Sequence, residues 1–219
     1  MKTILLIIAG LLLVVATTPA WADLYTFEDA TRPDTLTGGR ITSSQGYGEH
    51  GFGDYLIWSG GSAIGLTLSG LDPAKPLNLE FDLAIIDSWD GSQGRWGTDL
   101  MNVTMNGDII FQETFSQFTR RYQSYDGDPL VAGQKLYGHG HWNDSAYHIN
   151  LTGLEPQGDT VTLQWFANGS GWQGIRHPWD ESFAIDNIQV NPVPEPATML
   201  LFGTGLAGLT ALRRKKQQA

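Results

Sequence analysis

Hydrophobic and polar residues alternate along several short segments of the chain, and this two-residue period predicts β-strands with one buried face. The clearest example runs from Leu77 to Ile85, where every second side chain is a large apolar one. The same pattern returns at residues 101–105, 147–151 and 161–165. Residues 113–122 are ambiguous, but no comparable segment of the domain has a persuasive helical period. The pattern predicts an all-β domain.

Two local signals predict how these strands are joined and bent. Asn106-Gly107 follows an alternating segment directly, which predicts a tight β-hairpin because both residues tolerate a positive φ. Near the C-terminal end, the apolar residues of 183–185 are in one phase and those of 188–190 are in the other. The alternation slips at Asp186-Asn187, and such a slip predicts a β-bulge, a feature that re-aims side chains beside functional sites.

A repeated turn favours a particular arrangement of the strands. The segments Ile64–Pro73 and Tyr147–Pro156 both contain a strand, then a Ser/Thr-Gly-Leu-acid-Pro turn, and both lead into a further strand. Such a repeat suits a jelly-roll-like β-sandwich whose halves contain the same corner. Chance similarity is the alternative, because these turn residues are favoured for local reasons.

The N-terminal end predicts export. Lys2 provides a short positive region, residues 4–15 form an apolar run, and Ala20-Trp21-Ala22 matches an A-x-A cleavage pattern. Together these features predict a signal peptide over residues 1–22, removed by signal peptidase after Ala22. A permanent membrane anchor at each end is the competing interpretation.

The C-terminal end combines three ordered signals, which are a Pro-Glu-Pro sequence, an apolar run and a basic cluster. Residues 197–212 carry no charge, which predicts a transmembrane helix over about this range. At 1.5 Å per residue the run reaches roughly 24 Å, somewhat short of a ~30 Å bilayer core. The basic residues 213–216 place the C-terminus in the cytoplasm and the domain outside. A buried core helix is the alternative.

This tail closely resembles the PEP-CTERM sorting signal of exported proteins from Gram-negative, exopolysaccharide-producing bacteria. The residues that carry the resemblance are Val193, Pro194, Glu195, Pro196, Arg213 and Arg214. The resemblance implies recognition by an exosortase, a membrane-embedded transpeptidase-like enzyme, cleavage near the Pro-Glu-Pro, and release or transfer to the cell surface. The chain then divides into a signal peptide (1–22), a β-sandwich domain (23–191) and a sorting signal (192–219).

The charge of the domain limits its partners. The whole chain has a formal net charge of −10, but residues 23–194 contain 8 basic and 22 acidic residues, a net charge of −14. Such a field disfavours nucleic acid and anionic lipid and favours cations or neutral sugars. The chain has no cysteine, so the domain uses no disulfide although export permits one.

Acidic loop residues predict a calcium site, for which the candidate ligands are Glu28, Asp87, Asp90, Asp99 and Asp186. Residues 27–29, 87–91 and 182–188 are loosely similar to elements of extracellular jelly-roll domains, of the carbohydrate-binding-module and MAM-like kind. In several such families these elements border a structural calcium, although the lack of cysteine counts against the MAM branch. The spacing does not fit an EF-hand. Solvated loop carboxylates in Asx turns are the alternative interpretation.

Tryptophans in loops rich in glycine and in Asp or Asn provide the second functional hint. The candidates for ligand binding are Trp89, Trp96, Trp142, Trp172 and Trp179. Exposed aromatic rings stack on sugar rings, whereas folded-back loops also use tryptophan as a small core of their own. Both interpretations stay open from sequence alone.

These observations predict an exported protein with a non-catalytic binding or structural role in an exopolysaccharide or biofilm matrix. A lectin-like carbohydrate-binding module is the alternative, and a glycan-active enzyme that uses Glu181 or another paired carboxylate is the third possibility. The chain contains no Gly-x-Ser-x-Gly, His-Glu-x-x-His or phosphate-binding motif, and this absence argues against a catalytic function.

Overall fold

The computed structural model describes residues 23–25, 30–92, 95–117, 122–138, 142–174 and 176–193. Twelve strands run through these residues: β1 Asp23–Tyr25, β2 Leu36–Thr37, β3 Arg40–Ser43, β4 Tyr55–Ser59, β5 Ile64–Ser69, β6 Leu77–Asp87, β7 Leu100–Met105, β8 Asp108–Thr114, β9 Pro129–Gln134, β10 Asp144–Leu154, β11 Thr160–Asn168 and β12 Glu181–Pro192. A 3-10 helix spans Gln45–His50.

The strands form two antiparallel sheets packed face to face. The seven-stranded sheet has the order β3-β4-β12-β6-β10-β9, with β1 also pairing with β12, and the five-stranded sheet has the order β2-β5-β11-β7-β8. The core lies between them, where Phe81 of β6 meets Trp165 of β11 edge to face at 5.7 Å between ring centroids. The predicted all-β, jelly-roll-like sandwich is confirmed, because alternating apolar residues from both sheets fill one shared interior.

The repeated turns are the two corners where the chain crosses between the sheets. One corner leads from β5 to β6 and the other from β10 to β11. Gly70 and Gly153 adopt positive φ values of 78° and 71°, which glycine tolerates without strain. Since β5 pairs with β11 and β6 pairs with β10, the two corners lie side by side.

The predicted hairpin and bulge are both present. Asn106 and Gly107 have φ values of 54° and 94° and join β7 to β8. The pairing of β12 with β6 shifts register between Asp186 and Gln189, and Asn187 has a φ of 49°. Asparagine accepts this left-handed conformation more readily than most residues, which explains why the slip falls here.

A row of directly opposed residues crosses the outer face of the seven-stranded sheet. In strand order these residues are Arg40, Trp58, Ala184, Ala84, Ala146 and Val131. The three central alanines keep this face shallow. Tyr47 and Phe52, from the 3-10 helix and the loop after it, pack over part of the face and leave another part uncovered.

Both processing signals lie outside the described residues. This applies to the predicted signal peptide with Ala22, to the predicted helix at 197–212, and to Pro194, Glu195, Pro196, Arg213 and Arg214. In the described part of the chain, no helix is long and apolar enough to cross a membrane. Val193 ends the described domain, and its backbone N–H donates to the carbonyl oxygen of Pro76 at 2.7 Å.

Candidate functional site

A pocket of about 240 Å³ opens on the outer face of the seven-stranded sheet. It lies where β4 and β6 end and β12 begins. The residues that line it are Arg40, Trp58, Asp87, Tyr137, Gly138, Pro178, Trp179 and Ser182. Strand pairing places the first two together, since Arg40 and Trp58 are register partners on β3 and β4.

The walls of the pocket are aromatic and carry one cation. The guanidinium carbon of Arg40 lies 5.1 Å from the ring centroid of half-buried Trp58, a cation–π arrangement. Trp179 is 71 % exposed. A Cβ added at Gly60 would lie 2.3 Å from the Cβ of Pro178 and 2.8 Å from the Trp58 ring. Glycine therefore lets the segment of Pro178 and Trp179 approach the tryptophan closely.

One buried carboxyl group, that of Asp87, lines the pocket, and a second, that of Asp144 on the neighbouring strand, lies behind it. Asp87 ends β6 with a positive φ of 66°, and its backbone N–H donates to Oδ1 of Asp144 at 2.9 Å. Oδ2 of Asp144 accepts from the backbone N–H groups of Leu136 and Tyr137 at 2.6 and 2.8 Å. Asp144 thus fixes the loop that supplies Tyr137 to the pocket.

Asp87 is an unusual carboxyl group because it remains protonated close to neutral pH. Burial, together with the neighbouring charges of Asp144 and Asp180, raises its pKa to about 7, and a hydrogen bond from the Trp142 backbone opposes this change. Burial also raises the pKa of Asp144, although the three backbone N–H groups that it accepts oppose the change. The pocket therefore contains a carboxyl group that can act as a hydrogen-bond donor below pH 7.

Replacing Asp87 with asparagine should flatten the pH dependence of stability. The pKa of Asp87 is raised on folding, so the folded protein keeps a proton that the unfolded chain releases between its ordinary value, about 4, and about 7. The free energy of unfolding therefore falls as pH rises through this window. We expect Asp87→Asn to gain at least about 1 kcal/mol relative to wild type between about pH 4.5 and about pH 8, measured by urea unfolding. The control is Asp34→Asn, because Asp34 is exposed. If the free energy of unfolding depends on pH in the same way in wild type and in Asp87→Asn, the raised pKa of Asp87 is contradicted.

A second acidic group lies between the sheets at the same end of the sandwich. One carboxylate oxygen from each of Asp90, Asp99 and Glu181 lies within 4.8 Å of the others. Asp90 follows β6, Asp99 precedes β7 and Glu181 begins β12, so the cluster joins both sheets. Their exposed fractions are 9 %, 0 % and 1 %.

The backbone holds these carboxylates close together. Asp99 Oδ2 accepts the N–H of Asp90 at 2.7 Å, and the N–H of Asp99 donates to the carbonyl of Gly91 at 2.9 Å. Oε2 of Glu181 accepts the N–H of Gln173 at 2.6 Å. Burial, together with the charge of Asp99, raises the pKa of Glu181 to about 8, and burial is the main reason that the pKa of Asp99 is raised to about 6. The three groups can share protons or hold a cation.

The structure brings together part of the predicted calcium set. Asp90 and Asp99 belong to the acidic cluster, whereas Asp87 belongs to the pocket. Asp186 lies at the bulge on the outer face and accepts the N–H of Gly53 at 2.7 Å. Glu28 lies outside the described residues. The calcium set as a whole therefore stays a prediction.

Glu181 is the cluster member that the sequence-based calcium set omits. It shares its alternation phase with Phe183 and Ile185, which are core residues. A carboxylate at a core-facing position of a strand is costly to bury without a partner. The position of Glu181 in the strand pattern was therefore the sequence signal that could have marked it as a site residue.

The five candidate tryptophans divide between core and surface. Trp89 is fully buried, and its ring centroid lies 5.1 Å from that of Trp172. Trp96 and Trp142 are 55 % and 43 % exposed. Trp179 lines the pocket together with Trp58, which sequence reasoning missed. Trp58 could have been recognised as a pocket residue only from the pairing of β4 with its neighbouring strands.

Residues 192–215 match the family model of the PEP-CTERM protein-sorting motif. The resemblance identified from the tail is confirmed, and the chain carries the signature of an exosortase substrate. The motif indicates export and surface-directed sorting in bacteria. Fold and tail together define a surface-directed bacterial protein with a β-sandwich domain.

Several solved structures are similar to this chain. The CBM22-1 xylan-binding domain from Paenibacillus barcinonensis Xyn10C matches with 12 % identity over 81 % of this chain and 99 % of that one, at a TM-score of 0.40. TmCBM27, a carbohydrate-binding module that recognises mannan, matches with 11 % identity over 80 % and 100 %, also at 0.40. The Agl-KA catalytic domain matches with 18 % identity over 81 % and 28 %, at 0.38. No curated protein matches the chain.

Proposed function

We propose that this protein binds carbohydrate through the pocket on its seven-stranded sheet, without catalysis, in the exopolysaccharide or biofilm matrix of a Gram-negative bacterium. Signal peptidase removes residues 1–22, and residues 197–212 hold the chain in the inner membrane until an exosortase acts near Pro194–Pro196. The working protein is the sandwich domain, at the cell surface or in the extracellular matrix. The sorting motif supports the location, and the pocket supports the binding activity.

The observation that carries the proposal is the pairing of two tryptophans with hydrogen-bonding groups in one concave site. Trp179 leaves most of its ring in solvent, and Trp58 adds a second aromatic wall. Arg40 and Tyr137 provide donors, and Asp87 provides a carboxyl group. Apolar ring faces combined with a few placed polar groups are what sugar recognition requires.

The net charge of the domain limits the class of sugar that we expect the pocket to bind. The net charge of −14 for residues 23–194 repels polyanions at long range, so a neutral or amino-bearing glycan fits this surface better than a polyuronate. Asp87, protonated below about pH 7, can donate to a sugar oxygen, and above that pH it becomes an acceptor only.

The burial of the acidic cluster argues for a non-catalytic role. A glycosidase needs two carboxyl groups on either side of a bond in the bound substrate. Glu181 and Asp99 are almost completely enclosed, so a sugar chain cannot reach them. The pocket offers the exposed surface that a glycan needs.

Replacing Trp179 with alanine should weaken glycan binding about fivefold to thirtyfold, because stacking on an exposed tryptophan supplies about 1–2 kcal/mol. Affinity electrophoresis or calorimetry with exopolysaccharide purified from the producing bacterium measures the effect. Trp96→Ala is the matched control, since Trp96 is also exposed but does not belong to the pocket lining. Equal weakening by both changes, or binding that Trp179→Ala leaves intact, would assign the glycan to another surface.

A further inference from the structure

We propose that Asp90, Asp99 and Glu181 form a buried Ca²⁺ site that ties the two sheets together at the pocket end of the sandwich. The site stands apart from the glycan pocket and does not depend on the proposed function. It differs from the set suggested by loop composition because it contains Glu181 and does not include Glu28, Asp87 or Asp186.

The spacing of the oxygens suits calcium. Two ligands on opposite sides of Ca²⁺, each at about 2.4 Å, lie about 4.8 Å apart, and ligands at smaller angles lie closer. The three carboxylate oxygens of the cluster fall within 4.8 Å of one another. Mg²⁺, with ligands at about 2.0–2.1 Å, requires a tighter and nearly octahedral set. Calcium also accepts backbone carbonyls and water as its remaining ligands.

One carboxylate oxygen of the cluster is buried without a hydrogen-bond partner. Asp99 is fully buried, its Oδ2 accepts the Asp90 N–H, and its Oδ1 has no hydrogen-bond partner. A buried carboxylate oxygen without a partner is expensive. A cation between the three carboxylates would satisfy it.

Among the described residues, no lysine, arginine or histidine forms an ion pair with Asp90, Asp99 or Glu181. Three carboxyl groups in this position repel one another when ionised, and a divalent cation is the most direct means of compensation.

The surrounding backbone packs tightly against the Asp99 carboxylate of the cluster. A Cβ added at Gly171 would lie 2.7 Å from Oδ1 of Asp99, and Gly171 N–H donates to the carbonyl of Thr98 at 3.1 Å. The segment after β11 thus closes against the residue that precedes β7. Ca²⁺ at the cluster would join this corner of the five-stranded sheet to Glu181 of the seven-stranded sheet.

Terbium luminescence tests the site in the purified full-length protein, kept in mild detergent because of its apolar C-terminal run. Tb³⁺ replaces Ca²⁺ at oxygen sites, and buried Trp89, adjacent to Asp90 in sequence, can sensitise its emission. We expect saturable Trp-excited emission that Ca²⁺ displaces. Asp99→Asn and Glu181→Gln should each weaken Ca²⁺ binding at least tenfold. Asp108→Asn removes the same charge at the opposite end of the β7–β8 hairpin and should change affinity less than twofold.

Near-ultraviolet circular dichroism shows whether each variant is folded, and Ca²⁺ should raise the melting temperature of wild type more than that of Glu181→Gln. A folded Glu181→Gln protein that is stabilised by Ca²⁺ as strongly as wild type would overturn the proposal. So would the absence of saturable binding in wild type. If Asp87→Asn or Asp186→Asn abolishes binding while Asp99→Asn does not, the ion lies elsewhere and the proposed site is wrong.

Discussion

Replacing Trp89 with alanine is expected to lower the free energy of unfolding by about 3–5 kcal/mol, the usual cost of removing a large buried aromatic side chain. Trp89 is completely buried at the end of the core and packs edge to face against Phe115 at 6.3 Å. Its indole N–H donates to the carbonyl of Ser182 at 2.8 Å, so the change leaves a cavity and also removes a buried hydrogen bond. Urea unfolding followed by circular dichroism measures the loss.

Trp96→Ala provides the control for this change, because Trp96 is 55 % exposed and should cost less than about 1 kcal/mol. Trp89→Phe keeps most of the volume but loses the indole donor, and it should fall between wild type and the alanine variant. Similar losses for Trp96→Ala and Trp89→Ala would show that Trp89 does not contribute to the core as the structure indicates.

Replacing Asp144 with alanine is expected to cost about 3 kcal/mol and to open the loop that carries Tyr137, since each buried N–H left without a partner costs about 1–3 kcal/mol. Asp144 is fully buried and accepts three backbone N–H groups, those of Asp87, Leu136 and Tyr137. Partial relaxation of the loop keeps the total below the sum of three full penalties. Chemical denaturation gives the stability, and hydrogen exchange at Leu136 and Tyr137 reports the loop.

The change at Asp144 also tests global stability separately from the order of the loop that carries Tyr137. Asp34→Ala removes an exposed carboxylate and should leave both properties within experimental error. If Asp144→Ala lowers stability while the amides of Leu136 and Tyr137 keep their protection from exchange, the bonds to Asp144 do not hold the loop. Asp144→Asn retains one acceptor oxygen and should recover part of the loss.

The strands could be predicted because their causes are local. The alternation from Leu77 to Ile85, the Asn106-Gly107 turn and the phase slip at Asp186 each depend on a few neighbouring residues. Each appears in the structure as β6, a hairpin and a bulge. The two crossing corners were also visible as a repeat, although the sequence alone could not show that they lie side by side.

The sites could not be predicted in the same way, because strand pairing between distant residues creates them. Arg40 meets Trp58 through the pairing of β3 with β4, and Glu181 meets Asp90 and Asp99 only when both sheets close. Composition singled out acidic residues and tryptophans as candidates, and their binding roles stay predictions. It could not separate buried Trp89 from exposed Trp179, because both lie in polar loop sequences.

Strand β12 connects the pocket to the sorting motif. Strand β12 carries the pocket residue Ser182 near its start and ends at Pro192, where the sorting motif starts. At about 3.3 Å per residue, ten residues separate these points by roughly 30 Å. The pocket and the start of the sorting motif therefore lie at opposite ends of this strand, so attachment through the C-terminal end would leave the pocket on the far side of the domain from the point of attachment.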